Sequence, residues 1–273
     1  MKRIFLYVLI TFIILVLFTL IMFSNKEEKD ADPLKEKLEL LNNIDRKIDF
    51  FEYKFIDRYL SFKKNNPDLD DIDVVTRVNL NLDYPYYSNT KQSNHLNKLD
   101  ILVNKYIYLP SSYVPDNLED IEGKKLVKDA KVAFLEMQKQ AKIDGYNIRI
   151  VSAYRSYSYQ ENLYNGYVEK DGIEKADTYS ARPGYSEHQT GLVIDIDNGI
   201  TNYDNFDTTE EFNWMQENSY KYGFILRYPK DKVGITGYSY ESWHYRYVGK
   251  DIAKYIKDNN LSFDEYYVRF IEK

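Results

Sequence analysis

The chain has 273 residues, 44% of them hydrophobic and 16% aromatic, with a net charge of −6 at neutral pH. That length can bury a core of ordinary domain size, and the acidic balance supplies no basic face to hold a phosphate backbone, so nucleic acid is not expected as a partner. The absence of cysteine excludes disulfides, thiolate zinc sites, a cysteine nucleophile and lipidated cysteine, so any metal must be held by nitrogen and oxygen.

Residues 4–23 (IFLYVLITFIILVLFTLIMF) carry no charge and are almost wholly apolar. As a helix rising about 1.5 Å per residue, a run of about 20 residues matches a hydrocarbon core of about 30 Å. Lys2 and Arg3 precede it, and the positive-inside tendency then places the N-terminus in the cytoplasm and the rest of the chain outside. No small-x-small cleavage site follows, so residues 1–24 read as an uncleaved signal anchor of a single-pass protein in the cell membrane, the alternative being a cleaved signal peptide; either way the rest is extracytoplasmic.

Residues 25–72 read as a polar linker and a helical stalk. Between Pro33 and Pro67, Leu34, Leu41, Ile48, Phe55 and Phe62 recur every seven positions, with Leu38, Ile44 and Phe51 filling the adjoining stripe. The spacing predicts one long amphipathic helix, a spacer or a surface for self-association through residues 34–62. The stretch VVTRVNLNLDYPYY (74–87), rich in β-branched and aromatic residues, predicts a strand leading into the main domain, residues 73–273.

Within that domain, residues 126–145 show apolar residues at helical spacing with a glycine stop, and NIRIVSA (147–153) then alternates as a strand. A helix is expected over SYQENLYNGYVEK (158–170) and a strand over GLVIDI (191–196). Another helix is expected over residues 208–223, strands over FILRYP (224–229) and SWHYRYV (242–248), and helices over 250–259 and 262–273. Helices and strands do not alternate regularly enough for a doubly wound sheet, so the fold class is α+β.

The chemistry concentrates in SEHQTGLVIDID (186–197) and ESWHYRYVG (241–249). Strand alternation puts Asp195 on the face opposite Ile194 and Ile196. A carboxylate there needs a cation or several donors, and alone it reads as the partner of an arginine or as part of a solvated face. His188 alone likewise reads as a satisfied histidine. Together they offer imidazole and carboxylate, both ordinary zinc ligands, and a turn at Gly191 can bring the histidine back over the strand. His244 supplies a third ligand. Three protein ligands characterise a catalytic zinc site, where a fourth position stays open for water, and four a structural one. Glu241, three residues before His244, is the candidate general base, or else a surface glutamate at a strand start. His95, in the polar loop QSNHLNK, is expected to be a surface residue.

These two motifs, with SAYRSYSYQ (152–160) and NKYIYLPSSYVPDNL (104–118), resemble the VanY-type D-alanyl-D-alanine carboxypeptidases and their L,D-carboxypeptidase relatives, over roughly residues 74–257. The resemblance implies the fold shared by D-Ala-D-Ala metallopeptidases and hedgehog domains, a small antiparallel sheet with flanking helices and Zn2+ on the sheet face. It also implies a peptidoglycan stem peptide as substrate. His188, Asp195 and His244 match the zinc ligands and Glu241 the catalytic base. Arg155 matches the arginine facing the scissile carbonyl or the terminal carboxylate, and Gln160 and Ser186 fall where relatives position substrate. Two residues depart from the family pattern: Val193 replaces the usual alanine, which would narrow the floor of the site, and Ser242 replaces the usual proline. The expected activity is removal of a C-terminal D-alanine by a membrane-anchored, extracytoplasmic zinc carboxypeptidase. The alternatives are an endopeptidase of the same fold and a non-catalytic zinc-stabilised wall-binding module.

Overall fold

The computed structural model describes residues 48–272. The expected membrane span and the first part of the expected stalk lie outside the described residues. Among the described residues no helix is long and apolar enough to cross a membrane. The described chain divides into two units after Asp71.

In the first unit a 3-10 turn over Tyr53–Phe55 leads into helix α1 (Ile56–Asn65). The single helix expected between Pro33 and Pro67 is therefore not continuous through residues 48–52, which form a turn and an extended step. The cause is local: Phe51 and Phe55 pack their rings against Tyr59, at centroid distances of 5.0 and 6.3 Å. The Tyr59 hydroxyl accepts the Glu52 backbone N–H at 3.2 Å, an N–H that a continuing helix would have used. The Asn66 side chain donates to Phe62 O, and Pro67 follows as the stop.

Helix α2 (Asp71–Asn79) occupies the stretch expected to be a strand. Val74, Val75, Thr76 and Val78 are all buried there, so tertiary packing of one helical face overrides the strand preference of β-branched residues. Two short strands, β1 (Lys91–Gln92) and β2 (Ile107–Tyr108), pair in parallel. The hairpin of β3 (Leu118–Ile121) and β4 (Lys124–Val127) turns through Glu122 and Gly123, both at positive φ, as a two-residue hairpin loop demands.

Helix α3 (Lys128–Ile143) buries Ala130, Ala133, Phe134, Met137 and Ala141, a stripe at helical spacing. Then come β5 (Arg149–Ser152), α4 (Tyr157–Asp171), α5 (Ile173–Tyr179), a 3-10 turn over Glu187–Thr190 and β6 (Val193–Asp197). Ser156 caps α4 by accepting from Tyr159 N. Helix α6 (Glu210–Asn218) is capped by Thr209 and opens with two glutamates, and β7 (Phe224–Leu226) follows it. After α7 (Val233–Thr236) and β8 (His244–Tyr247) come α8 (Lys250–Asn259) and α9 (Phe263–Tyr266), the last opened by a Ser262–Glu265 capping box.

The functional sheet is four-stranded and antiparallel throughout, in the order β5-β6-β8-β7. On one face Ile150, Ile194, Ile196 and Tyr245 join Phe134, Met137, Trp214 and Met215 in the main core. Asp195 belongs to the opposite face, in line with strand alternation. In the pairing register Asp195 stands opposite His244 on β8 and opposite Ser152 on β5, where a bulge between Ile150 and Ser152 shifts the ladder. Asp197 is held from outside by a two-pronged contact with Arg149, at 2.7 and 2.9 Å. Val193 is fully buried, paired in register with Arg246, and does not line the site.

Gly191 ends the 3-10 turn at φ +67, and a Cβ there would meet Leu118, Val127 and Pro115 side-chain atoms at 2.8, 3.1 and 3.2 Å. Gly191→Ala should therefore destabilise the fold by about 1–3 kcal/mol, combining left-handed strain with overpacking. Guanidinium denaturation of the wild type and the variant checks this, and equal midpoints would show that the turn adapts freely.

Candidate active site

A cleft of about 390 Å³ opens on the polar face of the sheet. His188, Asp195 and His244 meet at its base, all buried, with one candidate ligand atom from each lying within 4.8 Å of the others. Strands β6 and β8 supply Asp195 and His244 as cross-strand neighbours. The 3-10 turn before β6 carries His188, tied down where Arg155 N donates to His188 O at 3.2 Å.

The proton positions decide what this cluster can do. His188 Nδ1 lies 2.6 Å from Ala153 O, and because a carbonyl only accepts, Nδ1 carries the proton. Burial first, and then the Arg155 charge, lower the pKa of His188 to about 4, so the ring is neutral at pH 7 and its Nε2 presents a lone pair. That lone pair points at Asp195 Oδ2 across 3.3 Å. Two acceptors in apposition repel unless a cation lies between them. Burial would raise Asp195, but its charged neighbours His244 and Arg155 hold it well below the usual carboxylate range, so it is charged. His244 Nδ1 completes the cluster, 3.1 Å from Asp195 Oδ1, an oxygen with no hydrogen-bond partner among the described residues. The donor set is two imidazole nitrogens and one carboxylate, the chemistry that Zn2+ selects.

Glu241 Oε2 sits 3.4 Å from His244 Nδ1 at the edge of the cluster. Burial pushes its pKa up to about 7, the His244 charge opposing and the Asp195 charge adding to the rise. For His244 burial acts downward, but the pull of the Asp195, Glu187 and Glu241 carboxylates outweighs it and lifts the ring to about 9.

Arg155 lines the cleft with its guanidinium held at two points: Nε donates to Ser152 Oγ at 3.0 Å and Nη2 to Asp195 Oδ2 at 2.7 Å. The arginine partner that a lone Asp195 predicts is therefore present beside the histidines. Gln160, in the first turn of α4, is buried; its Nε2 donates to Ala181 O at 2.8 Å. That carbonyl fixes the amide orientation and leaves Oε1 buried and without a hydrogen-bond partner among the described residues, in a side chain that lines the cleft. Ser186 lines the wall beside it. Ser242 is buried, and its hydroxyl has no hydrogen-bond partner among the described residues. His95 lies apart from the cleft and is not the surface residue expected: partly buried, it pairs through Nδ1 with Asp100 at 3.0 Å and packs on Tyr267.

Sequence reasoning missed two features. One is the aromatic wall, including Tyr167, Tyr179, Tyr203, Tyr228 and Trp243, whose residues come from segments distant in the chain. The other is a charged cluster behind His244, in which Glu187 Oε1 accepts from Arg227 Nε at 2.9 Å and from Arg246 Nη1 at 3.1 Å. Arg227 also reaches Asp264, and all four side chains are essentially fully buried. Burial would raise Glu187, yet the two guanidinium groups hold it at about 2. Arg246 stands two residues after His244 on one strand, and that same-face spacing was the available signal.

Comparison with known proteins agrees with this geometry. The family described as VanY, D-alanyl-D-alanine carboxypeptidase, matches residues 123–250. The putative carboxypeptidase YodJ of Bacillus subtilis (strain 168) is 41% identical over 205 residues, which cover 68% of this chain and 75% of that protein. The solved LdcB LD-carboxypeptidase is 41% identical with a TM-score of 0.62, covering 67% of this chain and 91% of LdcB. A vancomycin-resistance D,D-pentapeptidase VanY, solved as a variant in complex with Zn(II), is 37% identical with a TM-score of 0.55, covering 61% of this chain and 97% of its own.

If the three side chains hold the metal, the purified protein should carry about one zinc per chain, and His188→Ala and His244→Ala should each lose most of it by elemental analysis. Zinc at about a thousand times its dissociation constant should add about 4 kcal/mol to stability. Unchanged melting of the wild type on chelation would place the metal elsewhere.

Proposed function

The chain belongs to the VanY family of D-alanyl-D-alanine carboxypeptidases, and from that premise we propose that it removes the C-terminal D-alanine from peptidoglycan stem peptides. It is a zinc metallocarboxypeptidase. The observation that carries the reading is the neutral His188 lone pair facing the Asp195 carboxylate at 3.3 Å, beside a buried acid in an open cleft.

In this reading His188 Nε2, Asp195 and His244 Nδ1 are the ligands. A zinc ion held there supplies Lewis acidity, polarising the scissile carbonyl and making water a stronger nucleophile near neutral pH. Glu241 takes a proton at its carboxylate from the attacking water and returns it to the nitrogen of the departing D-alanine, a task suited to a carboxyl that burial brings to about 7. Arg155, with Nε and Nη2 already fixed by Ser152 and Asp195, presents a rigid cation to the substrate's terminal carboxylate or to the developing oxyanion. Gln160 and Ser186 line the wall along which the substrate would lie. A carboxypeptidase must distinguish a chain end from a chain interior, and paired donation from a planar guanidinium does so in a way that a lysine cannot.

The solved relatives include both an LD-carboxypeptidase and a D,D-pentapeptidase, so both stem lengths are substrates to test. We also propose that residues 4–23 anchor the enzyme with its cleft outside the cell, on the strength of the uncharged apolar run behind Lys2 and Arg3.

Three outcomes are expected. Mass spectrometry of defined pentapeptide and tetrapeptide muropeptides should show loss of one alanine; two larger fragments would indicate an endopeptidase, and no change a binding module. Glu241→Gln should keep its zinc and lose about 10²–10⁴-fold in turnover. Arg155→Lys should keep zinc and lose most activity, and amidating the substrate's terminal carboxylate should harm the wild type far more than this variant. Equal sensitivity to the amide would assign Arg155 to the oxyanion instead.

A further inference from the structure

His244 has two ring nitrogens, and only one of them faces the reaction centre. Nδ1 points at Asp195 and Glu241, whereas Nε2 points at Glu187, buried and without a hydrogen-bond partner among the described residues. Glu187 Oε2 is also buried and without a hydrogen-bond partner among the described residues, and it lies 3.9 Å from that nitrogen. The two unmatched atoms therefore face each other, a donor position and an acceptor position, at a distance slightly too long for a formed hydrogen bond.

We propose that Glu187 is the positioning residue of the third ligand: it takes the Nε2–H of His244 and so keeps the Nδ1 lone pair aimed into the cleft. A metal-bound histidine with its other N–H on a carboxylate has a fixed tautomer, a fixed ring orientation and a more basic ligand nitrogen. The surroundings fit that role. Glu187 Oε1 is held by Arg227 and Arg246, so the carboxylate cannot swing away, and Oε2 is left for the histidine. Arg227 is anchored in turn on Asp264, and Arg246 on the carbonyls of Leu99 and Ile101. The His244 ring is sandwiched as well, Tyr228 lying 4.8 Å from its centroid and His188 standing edge-on at 5.0 Å. The position of Glu187 in the chain links two ligands: it immediately precedes His188, so one 3-10 turn sets the first histidine directly and the last through its neighbour's carboxylate.

This inference rests on the zinc site proposed above, and the test separates the two. The chain has only three histidines, so a protein labelled with ¹⁵N at histidine gives a ring spectrum of three residues. In the zinc-loaded wild type, His244 should be metallated at Nδ1 and carry a slowly exchanging proton at Nε2, the reverse of His188. Glu187→Gln, close in shape, should weaken zinc binding by about 10–100-fold in a chelator competition and speed exchange of the His244 Nε2 proton, with the His188 signals unmoved. Unchanged zinc affinity and exchange in Glu187→Gln would overturn the proposal while leaving the zinc site standing. A wild type that binds no zinc would sink both. Should Glu187→Gln fail to fold, the wild-type spectrum still decides, because coordination through His244 Nε2 is incompatible with the role assigned to Glu187.

Discussion

The site depends on one pairing, Asp195 opposite His244 across two antiparallel strands. Directly opposed residues in a sheet hold their Cβ atoms about 4.5–5.5 Å apart, which suits two side chains that must reach one small cation. The backbone ladder fixes this spacing before any metal arrives. A slip of one residue would turn Asp195 into the core and Ile194 or Ile196 into the cleft, so the hydrophobic face of β6 enforces the catalytic register. Only His188 comes from outside the sheet, and its 3-10 turn is fixed by Gly191, by Arg155 N and by Ala153 O.

Concentrating carboxylates at the base of a cleft is costly unless charge is returned nearby. Beside the cleft opening Arg155 meets Asp195; farther along the same face of the sheet Arg227 and Arg246 meet Glu187, and Arg227 meets Asp264. Breaking one member of a buried set of this kind strands its partner's charge, at a cost of about 3–5 kcal/mol. The buried charges thus confer rigidity more than net stability, which suits a cleft that gathers three candidate ligands within 4.8 Å of one another.

Much of this was legible. β5, β6 and β8 announced themselves by alternation, and the helices at 128–143, 157–171, 210–218 and 250–259 by spacing and punctuation. His188, Asp195, Glu241 and His244 stood out because polar residues interrupt apolar strand patterns at short, fixed intervals. The β-branched run at 74–78 misled, since the identity of its residues favours a strand while their burial is that of a helix. The β3–β4 hairpin went unread because LEDI and KKLV are half charged, and only the Glu122-Gly123 turn marked it. The cluster of Glu187, Arg227, Arg246 and Asp264 was out of reach for a different reason. Its members are far apart in the chain, and charged residues are assigned to the surface unless a partner is known.

The bulge that brings Ser152 opposite Asp195 lies on β5, one of the two edge strands of the four-stranded sheet, where the β3–β4 hairpin partly covers it through Glu122 and Lys125. An unpaired margin is a template for a strand from another molecule. Here one margin is four residues long, kinked, and begins with the exposed, charged Arg149; the other, β7, is three residues long, with Pro229 soon after it. Neither presents a straight run of free N–H and C=O groups. The irregularity that shapes the reaction centre therefore also discourages strand-to-strand aggregation, and a mutation that smoothed the bulge to strengthen pairing would carry a solubility cost alongside its catalytic one.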